Sequence, residues 1–298
     1  MNRVFVLGNA TIDVVLNAAR LPNPGETLLA EHMVRCAGGK GLNQALAAAN
    51  AGATCVFAAP IGNDSDGMYL RETVAGFPAI AARWIAMPHP TDHSSIWVAG
   101  SGENMILSSA HCAHTLTPSH ARAALADLAQ GDMLLVQGNL TAETTFEALG
   151  LARARGAATL LNTAPLAWDM RPCLALCDVV MANAVECSMI VGSADASALR
   201  AACAGTAIVT LGETGAAIAS TAGLTHVSAP HVEAIDTAGA GDVLAGVAAA
   251  LLCAGRPILF AAQAAVNAAS LSVTRRGTTA SFPTRAEMAA ILSDLDKG

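Results

Sequence analysis

Short apolar runs recur along this chain, and Ala-rich stretches of helical length separate them. The runs fall at 55–59, 133–136, 159–161, 179–181 and 207–211, and a further one, Val4 to Leu7, leads into a turn at Gly8. Runs this short and this uniformly apolar read as strands buried on both faces. Their alternation with helices makes them members of a parallel sheet built from βαβ units. Helices are expected at 41–51, 118–129, 142–155, 184–191, 242–254, 258–273 and 285–295, with Thr117 and Thr284 as N-caps. Two regions break the rhythm. Residues 14–35, with Pro22, Pro24 and Gly25, and residues 91–108, with Ser-Gly-Glu-Asn at 101–104, read as extended strands and turns. No repeat or low-complexity linker divides the chain, so 1–298 is read as one domain carrying two insertions.

A chain of 298 residues with 53% hydrophobic residues buries a large core. Its mean hydropathy of +0.47 comes mostly from Ala in broken stretches, with no run of about 18 apolar residues to span a bilayer. The N-terminal apolar run is too short for a signal peptide, which points to the cytoplasm. With 16 basic against 23 acidic residues, a net charge of -7 and 3% aromatics, neither a nucleic-acid surface nor a membrane surface is expected. The eight cysteines contain no C-x-x-C pair and read as small buried apolar side chains. His111, Cys112 and His114, and likewise Cys173 with Cys177, lack a matching second pair, so no transition-metal site is expected.

Two glycine-bearing segments carry the chemistry. In Asp236-Thr237-Ala238-Gly239-Ala240-Gly241-Asp242, followed by the apolar stretch to Cys253, the glycines let backbone amides approach an anion at the start of a helix. Asp242 is then either a base beside that cradle or an N-cap carboxylate. In Gly38-Gly39-Lys40-Gly41-Leu42-Asn43-Gln44-Ala45, glycines and polar groups again open an Ala-rich helix. The spacing is not G-x-x-x-x-G-K-[ST], so Lys40 does not belong to a Walker loop. Two such clusters look like halves of one site.

These segments resemble the N-terminal and C-terminal signatures of the PfkB family of carbohydrate kinases, the ribokinase-like enzymes, and supporting matches run from Gly8 and Asp13 to Thr274-Arg275-Arg276-Gly277. The resemblance implies a three-layer α/β/α fold with a mostly parallel central sheet and a small β-sheet lid formed by the two insertions, often also a dimer interface. It implies ATP-dependent phosphorylation of a primary hydroxyl of a small sugar, ribose or a related carbohydrate. Asp242 would be the base, with Gly239, Ala240 and Gly241 shaping the anion hole. Thr11, Asp13, Gly39, Lys40, Asn43 and Asn139 would face the sugar. Thr11 stands where the family carries Asn, and Asn139 where it carries Glu, which bears on the acceptor accepted.

Asn183, Thr210, Gly212, Gly215 and Asn267 would hold the nucleotide, with Glu186 organising the waters of Mg²⁺. Asn183 and Glu186 also fit an ordinary capping box. Asp236, Ala238, Ser272, Arg275, Gly277 and Ser281 would surround a monovalent cation, K⁺. A nucleoside kinase of the same family is the second reading, with Trp97 or Met105 of the lid against a nucleobase. A silent sugar-binding protein is a third, which loss of Asp242 or the glycines would favour. A dehydrogenase would need G-x-G-x-x-G after a strand, and Gly8-Asn9-Ala10-Thr11 lacks it.

Overall fold

The computed structural model describes residues 2–101 and 103–297, so Gly102 of the expected turn at 101–104 lies outside the described residues. The strands are β1 (Val4–Leu7), β2 (Thr11–Ala18), β3 (His32–Gly38), β4 (Cys55–Gly62), β5 (Ile80–Met87), β6 (His93–Ala99), β7 (Asn104–Ser108), β8 (Met133–Gln137), β9 (Ala158–Asn162), β10 (Val179–Asn183), β11 (Thr206–Thr210), β12 (Ala216–Ser220) and β13 (Gly223–Val227). The helices are α1 (Lys40–Asn50), α2 (Ser65–Ala75), α3 (His111–Thr115), α4 (Pro118–Ala124), α5 (Ala142–Ala154), α6 (Arg171–Leu174), α7 (Ala184–Val191), α8 (Ala196–Ala202), α9 (Ala240–Cys253), α10 (Ile258–Ser272) and α11 (Arg285–Leu295).

Nine strands form one sheet in the order β13-β12-β11-β10-β9-β8-β1-β4-β5. It is parallel from β11 to β5, and only β12 and β13 run antiparallel at one edge. Alternation along a strand sends successive side chains to opposite faces. Val4 and Val6 therefore enter the core with α1, α9 and α10, while Phe5 and Leu7 enter the core with α4, α5 and α8. That is the expected three-layer arrangement.

The second sheet has four strands in the order β3-β2-β6-β7. It is the expected lid, but its strands run deeper than 14–35: the register of β2 with β3 continues to Thr11 opposite Gly38. Gly38 permits this, because a Cβ there would stand 2.0 Å from Asp13 Oδ2. Asp13 thus rides on the lid itself.

Helix α9 begins at Ala240 rather than Asp242. Its N-cap is Gly239, in the left-handed region at φ 80°, so Asp242 is the third residue of the helix and is not the cap. Helix α4 is shorter than expected, ending at Ala124. The sequence pattern did not single out α2, β5, α8, β12 or β13. Helix α2 is short and polar and is held by its cap Asp64, whose carboxylate accepts from the Gly67 amide. Strand β5 is an edge, buried only at its two ends, Ile80 and Met87.

Candidate active site

Asp242 is buried where α9 crosses α1. Along α1, Lys40, Asn43 and Gln44 are spaced i, i+3 and i+4, which puts them on one face, and all three reach Asp242. Asn43 Nδ2 donates to Oδ2 at 3.0 Å and Gln44 Nε2 to Oδ1 at 3.0 Å, while Lys40 Nζ stands 3.5 Å from Oδ1. Three donors around one carboxylate fix its plane. The helices can cross this closely because Gly246, one turn beyond Asp242, has no side chain: a Cβ there would lie 2.4 Å from the Gln44 carbonyl oxygen.

In the glycine turn, the Asp242 backbone N–H donates to the Gly239 carbonyl at 2.9 Å, and that of Ala240 to Thr237 at 3.4 Å. Beyond Gly241 the space is open, with no atom within 4 Å of where its Cβ would be. A group can therefore approach the start of α9 at this point.

Asp13 faces this centre from the lid. Its neighbours in register are Cys36 on β3 and Ser94 on β6, so these three share the lid's inner face. Thr11 Oγ1 donates to Asp13 Oδ1 at 2.8 Å. Burial pushes the Asp13 carboxyl above its ordinary value, the hydroxyls of Thr11 and Ser94 pull it back, and the charge of Asp242 raises it further. The Gly38–Gly39 turn that packs on Asp13 and Thr11 leads straight into α1, whose Asn43 and Gln44 hold Asp242, so one helix start links the two carboxylates. Gly39, at φ 94°, caps α1 and packs its backbone against Ala10 and Thr11. Asn139 follows β8, and its Oδ1 is buried with no protein partner, as is Asn43 Oδ1. Acceptors of that kind suit a ligand rich in hydroxyl donors.

Trp97 and Met105 lie opposite one another on β6 and β7, on the lid face turned away from Asp13. Trp97 lines an outer cavity of about 270 Å³ with Leu16, Leu21 and Leu28. The side-chain parity of β6 places Trp97 opposite Ser94, so neither aromatic nor methionine reaches an acceptor beside Asp13.

A second cleft, about 540 Å³, opens at the carboxyl ends of β10 and β11, where ligands of open α/β sheets gather. Asn183 and Thr210 are paired across these strands and line it with Val185 and Gly212. Gly215 and Asn267 do not line it. Gly215 instead makes the turn into β12, where a Cβ would stand 2.0 Å from the Val227 carbonyl oxygen, and Asn267 accepts from Gln263 at 2.9 Å. Asn183 and Glu186 do form a capping box. Glu186 also accepts from Thr163 Oγ1 at 2.7 Å, which ties it to the end of β9.

Asp236 joins two loops: its Oδ1 accepts from the Ala238 amide at 2.9 Å and its Oδ2 from the Gly277 amide at 2.9 Å. Ser272 and Ser281 donate to the Ala269 and Thr278 carbonyls, which leaves their hydroxyl oxygens free to accept. Arg275 is drawn aside to Glu287. The donor set is all oxygen, the chemistry a hard monovalent cation takes. Among the described residues no group of three or more His, Cys, Asp or Glu side chains is placed to hold a metal ion. Seven of the eight cysteines are buried, and burial pushes the Cys55 thiol up to about 12 and that of Cys173 to about 11.

Two residues of this centre had no place in the expected site. Gln44 was inside the glycine segment, and its helical spacing from Lys40 was the available signal. Gln137, at the end of β8, donates to Gln44 Oε1 at 2.8 Å, and no local pattern marks it.

A family model described as pfkB family carbohydrate kinase matches residues 1–285. The chain is 31% identical to the ribokinase of Haemophilus influenzae over 293 residues, covering 95% of each protein. It is 29% identical to the ribokinase of Bacillus subtilis over 295 residues, covering 98% of this chain and 100% of the relative. Among solved structures, ribokinase from Thermotoga maritima superposes with a TM-score of 0.86 at 27% identity, over 98% of this chain and 100% of that one.

Proposed function

The chain belongs to the PfkB family of carbohydrate kinases, an ATP-dependent kinase by that membership, and we propose that it phosphorylates a primary hydroxyl of a small sugar, ribose foremost. One observation carries this reading: the Gly38–Gly39 turn packs on Asp13 and Thr11 of the lid, and the helix it opens holds Asp242 through Asn43 and Gln44. A carboxylate at Asp13 accepts hydrogen bonds from adjacent sugar hydroxyls, and the carbonyl oxygens of Asn43 and Asn139 take further ones. Asp242 accepts the proton of the attacking hydroxyl, while the Gly241 amide and the positive end of α9 stabilise the charge that grows on the transferred phosphoryl group. ATP lies along the cleft at Asn183, Thr210 and Gly212, with its phosphates toward Gly241.

Mg²⁺, carried mostly by water and phosphate oxygens, would neutralise phosphate charge, and Glu186 at the head of α7 is the carboxylate suited to hold its waters. K⁺ would sit among Asp236, the carbonyls of Ala238, Ser272, Arg275 and Gly277, and Ser281, ordering the turn that leads into α9. The lid sheet would pair with a second copy, because its two edge strands expose Met33 and Val34 on β3 and Ile106 and Leu107 on β7.

The test is turnover of a panel of pentoses, hexoses, keto-sugar acids and nucleosides with MgATP. Ribose is expected to be phosphorylated, and a nucleoside active where free sugars are inert would overturn the assignment. No observation favours the nucleoside reading, since Trp97 and Met105 face away from the acceptor side.

A further inference from the structure

We propose that Gln44 and Gln137 form a buried amide relay that holds the Asp242 carboxylate in its reactive orientation, which makes both of them positioning residues for phosphoryl transfer. This rests on Asp242 being the base. An ionised carboxylate only accepts hydrogen bonds, so Gln44 presents its amide nitrogen to Oδ1 at 3.0 Å. Gln44 Oε1 is thereby left as an acceptor, and Gln137 Nε2 meets it at 2.8 Å. Each donor's direction is dictated outward from Asp242, which also settles which way each amide is turned.

Both glutamine side chains are fully buried, at 0% exposure, in a layer made largely of alanine and valine. Burying primary amides there is costly, and the pair makes the two bonds of the relay, to Asp242 and between the glutamines, while Gln137 Oε1 has no protein partner. Room for it is provided on two sides. A Cβ at Gly8 would lie 2.0 Å from Gln137 Oε1, and one at Gly246 would meet the Gln44 carbonyl. The relay links three elements, α9, α1 and β8, so the orientation of the base is referred to the central sheet rather than to the glycine turn alone. Without Gln44, Lys40 Nζ, 3.5 Å from the same oxygen, is free to draw the carboxylate into a plain ion pair.

Gln44→Met and Gln137→Met keep side-chain volume and remove the amides. Assayed as the full chain with ribose and MgATP, Gln44→Met is expected to lower kcat about tenfold with KM for ribose within about twofold, the scale of one lost hydrogen bond to a charged group. The acid limb of its kcat profile should move to higher pH, because a donor that favours the charged carboxylate is gone. Gln137→Met should do the same more weakly. A lowered Tm with unchanged kcat and pH profile would mean the glutamines only pack, and would overturn the relay. Carboxyl ¹³C titration of aspartate-labelled protein, with Asp242 assigned through Asp242→Asn, reads the same displacement without turnover. An unmoved midpoint in Gln44→Met overturns the relay, whereas a displaced midpoint in a chain that phosphorylates no sugar overturns the kinase reading and leaves the relay standing.

Discussion

At the scale of single residues, the two carboxylates do different work because their surroundings differ. Asp242 is ringed by amide and ammonium donors, whereas Asp13 meets only the hydroxyls of Thr11, at 2.8 Å, and Ser94 and is otherwise desolvated. Asp242→Asn keeps the shape and the helix but removes the proton acceptor, so kcat should fall about a thousandfold with Tm little changed; a variant retaining a tenth of the turnover would disprove the role. Asp13 is raised in the folded protein, so its charged form costs stability at neutral pH, and that cost is relieved as pH falls through the folded value toward the ordinary one. Asp13→Asn should therefore lose kcat/KM for the sugar without losing Tm at neutral pH, and any gain in Tm should vanish on acidification. Calorimetry across pH checks the sign: a gain that grew in acid would contradict it. These side chains were legible as chemistry in the sequence, but their partners were not. Gln44 contacts a residue 198 positions away, and a pairing of that kind exists only after the helices have packed.

At the scale of elements, the site is a crossing of α1 and α9, and its closeness depends on Gly246. Gly246→Val should push α9 off α1, costing about 1–3 kcal/mol by overpacking and pulling Asp242 out of reach of Asn43 and Gln44. Denaturant melts and kcat together test this, since a stable variant with full turnover would show that the close crossing is unnecessary. Strand β8 and helix α9 were plain in the sequence because nearly every residue in them is buried. What escaped was held by tertiary partners instead: β12 and β13 survive as an antiparallel hairpin at an edge, and α2 through its Asp64 cap. The onset of α9 was misplaced by two residues because Asp242 resembles an N-cap. The left-handed Gly239 takes that place, freeing the carboxylate to turn toward α1.

At the scale of the whole molecule, the lid and core are joined through Gly8, Asn9 and Ala10, the three residues between β1 and β2. The pairing of Ile12 N–H with the Asp92 carbonyl at 2.9 Å, and of the buried Asp92 carboxylate with the amides of Cys112 and Ala113, anchors the base of the lid to α3. If the exposed apolar edge of the lid at β7 is a dimer interface, Leu107→Glu should yield monomers by light scattering, and an unchanged mass would exclude that edge. The lid insertions were recognisable from their turns, yet their depth was not, because it depends on Gly38 making room for the Asp13 carboxylate.

One consequence follows from Asp13 belonging to a strand of the lid while Asp242 belongs to the core. On the proposed reading, half of the acceptor's grip would travel with the cover, so a raised cover would leave the sugar with no complete seat. Capture and enclosure then become the same event, and a nucleotide bound alone would find no poised hydroxyl and little shielding from its surroundings. Such an arrangement predicts that idle ATP consumption rises when the sugar is present but Asp13 is replaced by Ala, a leak that a coupled assay of ADP against sugar phosphate would reveal.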